Sequence, residues 1–187
     1  MQQQRGFTLI ELVVTLVIAG IILVVGVPNF RNLIQRNRVA TEVNRFISHV
    51  QFARSESIRR GATVTLCQSG TLALCGGEDN AAASGVYEKG WLVYADRSGP
   101  SNNYDSTEDV LLRVADPAAG EITMRADNNG ARWLSFGSRG EFSGLHAQLA
   151  FCHDGVSTTQ VPGRLVTVHA TGRTTLEAIA AEGSCTP

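Results

Sequence analysis

The sequence predicts an α+β protein. A long N-terminal α-helix, transmembrane in its first half and amphipathic in its second, packs on a β-rich, antiparallel, sandwich-like globular head. Three observations lead there. An apolar run of 21 residues, 7–27, lies near the start of the chain. An apolar stripe at three- and four-residue steps continues beyond it to Ile58. After Gly61 the chain breaks into short β-branched and aromatic segments separated by Gly, Asn, Asp and Ser.

The apolar run is long enough to cross a bilayer as a helix. It follows the short polar stretch MQQQRG, and no A-x-A-like site comes after it, only VGVPNFRN. An ordinary secretory signal would carry such a site, so this run is expected to be retained. Arg5 fits a cytoplasmic start, while Arg31, Arg36 and Arg38 on the far side weaken that argument. One residue is out of place. Glu11 sits four residues inside the run, where a carboxylate costs about 2.5–3.5 kcal/mol on insertion scales. Either it snorkels to the nearby interface or it has a partner.

Beyond the run, Phe30, Leu33, Ile34, Ala40, Val43, Phe46, Ile47, Val50, Ala53 and Ile58 recur with helical spacing among Arg, Gln, Asn and Glu. They read as the inner face of a helix lying on a globular head. Arg59 and Arg60 suit a last turn, and Gly61 suits the residue that ends it. Gly20, Gly26 and Pro28 predict a bend or local unwinding, because proline removes a donor and crowds the preceding turn. The element divides into a membrane half, 7–28, and an amphipathic half, 29–60. Together they cover roughly 80 Å at 1.5 Å per residue.

Residues 61–187 read as the head. Strands are expected at 62–68, 91–96, 110–115, 121–126, 132–137, 148–153 and 164–170, with surface loops at 69–90 and 98–109. There is no internal repeat. Residues 1–60 carry eight arginines against three acids, a net of +5, and the remainder carries eight basic and fourteen acidic residues, a net of −6. A net-acidic head argues against a broad nucleic-acid-binding face, since phosphate affinity rests on clustered Lys and Arg. Cys67, Cys75, Cys152 and Cys185 form no C-x-x-C pair, which argues against zinc and for two disulfides in an oxidising compartment. Four cysteines allow three connectivities. The sequential pairing, Cys67–Cys75 and Cys152–Cys185, is the favoured one.

No catalytic set emerges, and the chain is read as a non-enzyme without cofactor or metal. The His153-Asp154 neighbours lack a nucleophile at a recognisable spacing. His49 reads as a solvated flank of the helix. His146, His153 and His169 read as strand or turn residues, and Trp91 and Trp133 as core anchors. The acids Glu78, Asp79, Asp96, Asp105, Glu108 and Asp109 fit no calcium loop.

Arg5-Gly6-Phe7-Thr8-Leu9-Ile10-Glu11-Leu12 resembles the processing signature of type IV pilin-like proteins: a short basic leader, a glycine, a phenylalanine and a glutamate four residues on. The resemblance implies that residues 1–6 are a leader, cut between Gly6 and Phe7 by a prepilin peptidase, and that the new Phe7 amine is N-methylated. Within that class the head resembles the FimT/FimU–GspH group of minor pilins and pseudopilins. VTLCQS (64–69), the strand from Gly90 to Asp96, FGSRG (136–140), LAFC (149–152) and TGR (171–173) carry that likeness.

The implied partners are other minor and major pilins, or pseudopilins, together with the inner-membrane assembly platform. The implied location is the inner membrane with the head in the periplasm, then a pilus or a periplasmic pseudopilus. Some members of the group bind DNA through a C-terminal G-R-x-R motif. Here Gly172 and Arg173 match and Thr175 replaces the second arginine, which weakens that role. The resemblance also gives Glu11 a partner. After cleavage, the cationic Phe7 amine lies near it on the same helix or on a neighbouring subunit, and the pair sets the register of assembly.

Overall fold

The computed structural model describes residues 8–75, 86–97, 104–129, 133–154, 161–179 and 185. The leader, Gly6 and Phe7 therefore lie outside the described residues. Among the described residues one helix, α1 (Leu9–Arg60), is followed by eight strands: β1 (Val64–Gln68), β2 (Trp91–Ala95), β3 (Val110–Ala115), β4 (Ile122–Ala126), β5 (Trp133–Phe136), β6 (His146–His153), β7 (Arg164–His169) and β8 (Thr174–Ala178). The chain forms two compact units, residues 1–35 and 36–187.

In the first unit α1 is helical without interruption through Gly20, Gly26 and Pro28, so of the bend or local unwinding expected there, the unwinding is not seen in this structure. A proline deprives a helix of one donor, while the surrounding ladder retains its other bonds and small local adjustments absorb the loss. Around Gly20 and Gly26 there is nothing within 4 Å of a would-be Cβ, so neither glycine is required by close packing. The large apolar side chains described from Leu9 to Ile34 are all exposed. Phe30, Leu33 and Ile34, expected on the inner face, are among them.

In the second unit the buried stripe of α1 is Val39, Glu42, Val43, Phe46, Val50, Ala53 and Ser57. The steps of three and four agree with the expected period, but its ends shift. Val39 faces inward in place of Ala40, and Ser57 in place of Ile58, which is 52% exposed. Neighbours in a helix differ by about 100°, so two adjacent candidates are separated only by what they meet. Ser57 is accommodated because its Oγ donates to the Arg54 carbonyl at 2.8 Å and its own carbonyl accepts the Ala62 amide at 3.3 Å.

The strands form two antiparallel four-stranded sheets, ordered β3-β2-β1-β5 and β4-β6-β7-β8. The seven expected strands are all present. β8 was not anticipated: Thr-Thr-Leu-Glu-Ala does not alternate apolar and polar residues and contains no aromatic, and Leu176, Glu177 and Ala178 are exposed. It exists because the turn at Gly172 brings it alongside β7, with Thr167 opposite Thr175. The expected surface loop at 69–90 also ends inside the core. Val86 bridges to Arg125, and Tyr87 is fully buried. Both disulfides follow the sequential pairing, Cys67–Cys75 and Cys152–Cys185, with Cα separations of 5.6 and 6.2 Å.

One core joins the inner stripe of α1 to both sheets. At its centre is Phe46, whose ring lies 5.5 Å from Trp91 of β2, 5.5 Å from Phe151 of β6 and 5.7 Å from Tyr87. Such aromatic contacts add about 0.5–1.5 kcal/mol each beyond the area they bury. Phe46→Ala is expected to lower stability by about 3–5 kcal/mol. Chemical denaturation of the detergent-solubilised chain, followed by tryptophan fluorescence, measures it. A loss under about 1 kcal/mol would mean that the sheets hold together without this ring.

Candidate functional site: the N-terminal helix and the turns that grip it

The first turn of α1 gives Glu11 a local setting. Thr8 precedes the first helical residue, and its Oγ1 accepts the Glu11 amide at 3.3 Å, while its carbonyl accepts the Leu12 amide at 3.2 Å. Thr8 is therefore the N-cap and Glu11 the third helical residue, the T-x-x-E arrangement of a capping box. An acid there also complements the positive end of the helix dipole. The bond runs from the Glu11 backbone amide, and the Thr8-x-x-Glu11 spacing is the sequence signal for it. The partner amine of Phe7 lies outside the described residues. Between Arg5 and Arg31, Glu11 is the only charged residue, and the helix is long and apolar enough to cross a membrane.

In the head unit three side chains one turn apart hold the connection between β3 and β4. Arg45 Nη2 donates to the Asp116 carbonyl at 2.7 Å, and the Ala119 amide donates to Glu42 Oε1 at 3.3 Å. Arg38 packs against Gly120, whose positive φ of 83° an ordinary side chain resists. Glu42 Oε2 and Arg45 Nε lie 3.1 Å apart as an ion pair without hydrogen-bond alignment. Burial of Glu42 is thus compensated by a charge and an amide.

Further along, Arg54 links the helix to two turns. Its Nε donates to the Gly140 carbonyl at 3.1 Å. That carbonyl lies only 2.2 Å from where a Cβ on Gly172 would stand, and Arg54 Nε 2.9 Å from it. The FGSRG and TGR turns, 32 residues apart, therefore meet over one arginine. Arg139 and Arg173 flank this contact and are exposed. Thr175, where the second arginine of the DNA-binding motif would stand, instead places Oγ1 3.0 Å from His169 Nε2. At the end of α1, hydrogen bonds from Arg59 and then Arg60 hold the Glu56 carboxyl down at about 2.

His49 is not a solvated flank. It is half-buried, and its Nδ1 accepts the Trp91 indole N–H at 2.8 Å. Nothing in the helical periodicity signals this bond, because its donor comes from a strand 42 residues away. Trp91 is fully buried as expected, whereas Trp133 is half-buried in a smaller cluster with Cys67, Leu92 and Tyr94. His153 is buried with Nδ1 2.8 Å from the Asp154 carbonyl, and His146 is exposed.

Residues 42–172 match the family model for the type II transport protein GspH, from the Glu42 clamp to the Gly172 turn. The chain belongs to the GspH family. Residues 1–27 of this GspH-family chain also match the prokaryotic N-terminal methylation motif, which spans Gly6, Phe7 and Glu11. Two crystal forms of the type IV minor pilin FimU of Pseudomonas aeruginosa share the fold. One has a TM-score of 0.55 at 18% identity, covering 79% of this chain and 96% of the other. The second has a TM-score of 0.52 at 21% identity, covering 76% and 96%. The family is one of pilin-type structural subunits, and the helix beneath the methylation motif is long and apolar enough to cross a membrane.

The turn contact is open to a direct test. Gly172 has a φ of 72°, and a methyl group there would meet the Gly140 carbonyl. Gly172→Ala is expected to cost at least about 1–2 kcal/mol from the backbone alone, seen as a lower denaturation midpoint. An unchanged midpoint would show that the two turns are not pressed together.

Proposed function

We propose that this chain is a minor pilin of a type IV pilus, cut between Gly6 and Phe7, N-methylated at Phe7, and active in the tip or initiation complex that starts the fibre. The observation that carries the reading is a stem of exposed apolar side chains from Leu9 to Ile34 with a single carboxylate, Glu11, four residues beyond Phe7. Before assembly the stem anchors the chain in the inner membrane, with the head in the periplasm. In the fibre it packs among the stems of other pilins. There an unpaired Glu11 is costly and one paired with a Phe7 amine is far less so, which draws an incoming subunit to the register where the charges meet. Gly20, Gly26 and Pro28, helical in the isolated chain, are the places where the stem would bend or unwind on incorporation.

The capping bond, made by the Glu11 backbone amide, lets the carboxylate be tested apart from the cap. Glu11→Ala should leave membrane insertion and cleavage intact and strongly reduce recovery of the protein in sheared fibres. Thr8→Ala removes the cap, costing about 0.5–2 kcal/mol locally, and keeps the carboxylate, so fibre recovery should be retained. Equal losses in both variants would make the order of the first turn, not the Glu11 charge, the requirement and overturn the charge-pair role.

A second reading is a minor pseudopilin of a type II secretion system, favoured by the family model that matches residues 42–172. Affinity capture of the processed chain from membranes, with co-purified proteins identified by mass, separates the two. Type IV pilins and their platform support the proposal, and secretion pseudopilins overturn it. A third reading is DNA binding, for which the meeting of the Arg139 and Arg173 turns is the supporting feature. Retention on immobilised DNA at low salt, lost in Arg173→Ala, would bring it in.

A further inference from the structure

One hydrogen bond between α1 and the head depends on the protonation state of a histidine, His49. Trp91 is fully buried, and its indole nitrogen is a donor only. Its bond to His49 Nδ1 therefore exists only while that nitrogen keeps its lone pair. The rings meet edge-on, centroids 5.6 Å apart and planes at 77°.

The charged groups acting on His49 are both cations. Arg113 comes from β3, its guanidinium 3.8 Å from the centre of the Phe52 ring. Arg45 lies one turn back on α1, 4.6 Å over the Trp91 ring. β2 brings the indole and no charged residue; its Tyr94 packs in the separate cluster with Cys67 and Leu92. Glu42, two turns back on the helix, is taken up by Arg45 and the Ala119 amide.

We propose that His49 is an acid-sensitive latch between α1 and the β2–β3 strands. Neutral, it ties Trp91 to the helix. Protonated at Nδ1, it sets a donor against the indole donor and a third cation beside Arg45 and Arg113, and the contact opens. Burial, then Arg113, then Arg45 hold the His49 pKa below its ordinary value of 6.5. The folded chain therefore takes up this proton at lower pH than the unfolded chain. The latch contributes fully above the unfolded value and is lost as pH falls through the folded one. This inference is independent of which fibre receives the chain.

The test is an NMR titration of the full processed chain in detergent micelles, labelled at the tryptophan indoles and taken from about pH 8 to about pH 5, spanning the histidine range. The chain has two tryptophans, so Trp133→Phe leaves Trp91 as the single indole signal. The Trp91 N–H signal should shift upfield and lose protection from solvent exchange in step with the His49 ring protons. In His49→Asn, whose side-chain oxygen stands near the position of Nδ1 and does not titrate, the signal should stay fixed. A Trp91 signal that is stationary while His49 titrates would overturn the latch. So would the same shift in His49→Asn, and should that variant not fold, the coincidence of the two wild-type titrations decides alone.

Discussion

The head depends on one aromatic wedge. Phe46 projects from α1 between the two sheets and touches a residue of each, Trp91 and Phe151, with Tyr87 closing the group. Two four-stranded antiparallel sheets share one core with the helix, and β1 and β2 bury a second, smaller cluster of Cys67, Leu92 and Tyr94. The remaining inner residues of α1, Val39, Val43, Val50 and Ala53, extend that contact along the helix. Apolar area removed from water contributes roughly 25 cal/mol per Å², so the ring and its neighbours dominate the energetics of this junction.

Around the wedge the contacts are polar and directed at loops. Arg38, Glu42 and Arg45 take up the connection after β3, and Arg54 takes up the turns at Gly140 and Gly172. Loop backbone without a strand partner must find donors and acceptors elsewhere, and long helix side chains supply them. The arginine-rich composition of residues 29–60 thus has a structural use in the head. These guanidiniums bind carbonyls, pair with Glu42 or stack on Trp91, apart from any role with phosphate.

The first unit follows the opposite rule. From Leu9 to Ile34 it offers apolar side chains to its surroundings and buries none of the large ones described. In water such a surface would be unfavourable, and in a bilayer or among like helices it is not. The capping bond from Thr8 and the carboxylate of Glu11 give the start of this helix a defined geometry before any partner arrives.

Much of this was legible in the residues. The apolar run, the three–four stripe, the short β-rich segments and the even cysteine count led to the helix, seven of the eight strands and the presence of two disulfides, while which cysteines pair was fixed by the structure. Each of those signals is periodic or compositional and local. The methylation motif within residues 1–27 is also local and points to the broad pilin-like class, whereas the GspH family match rests on residues 42–172. Other features were decided only by the tertiary structure. These are Val39 over Ala40 as an inner residue, β8 as a strand, Tyr87 as core, and His49 as the acceptor for Trp91. In each case the deciding partner lies far along the chain, and adjacent residues with equal propensity differ only in what they meet. Local patterning determined which elements form; long-range contact decided which side chains within them carry the junction.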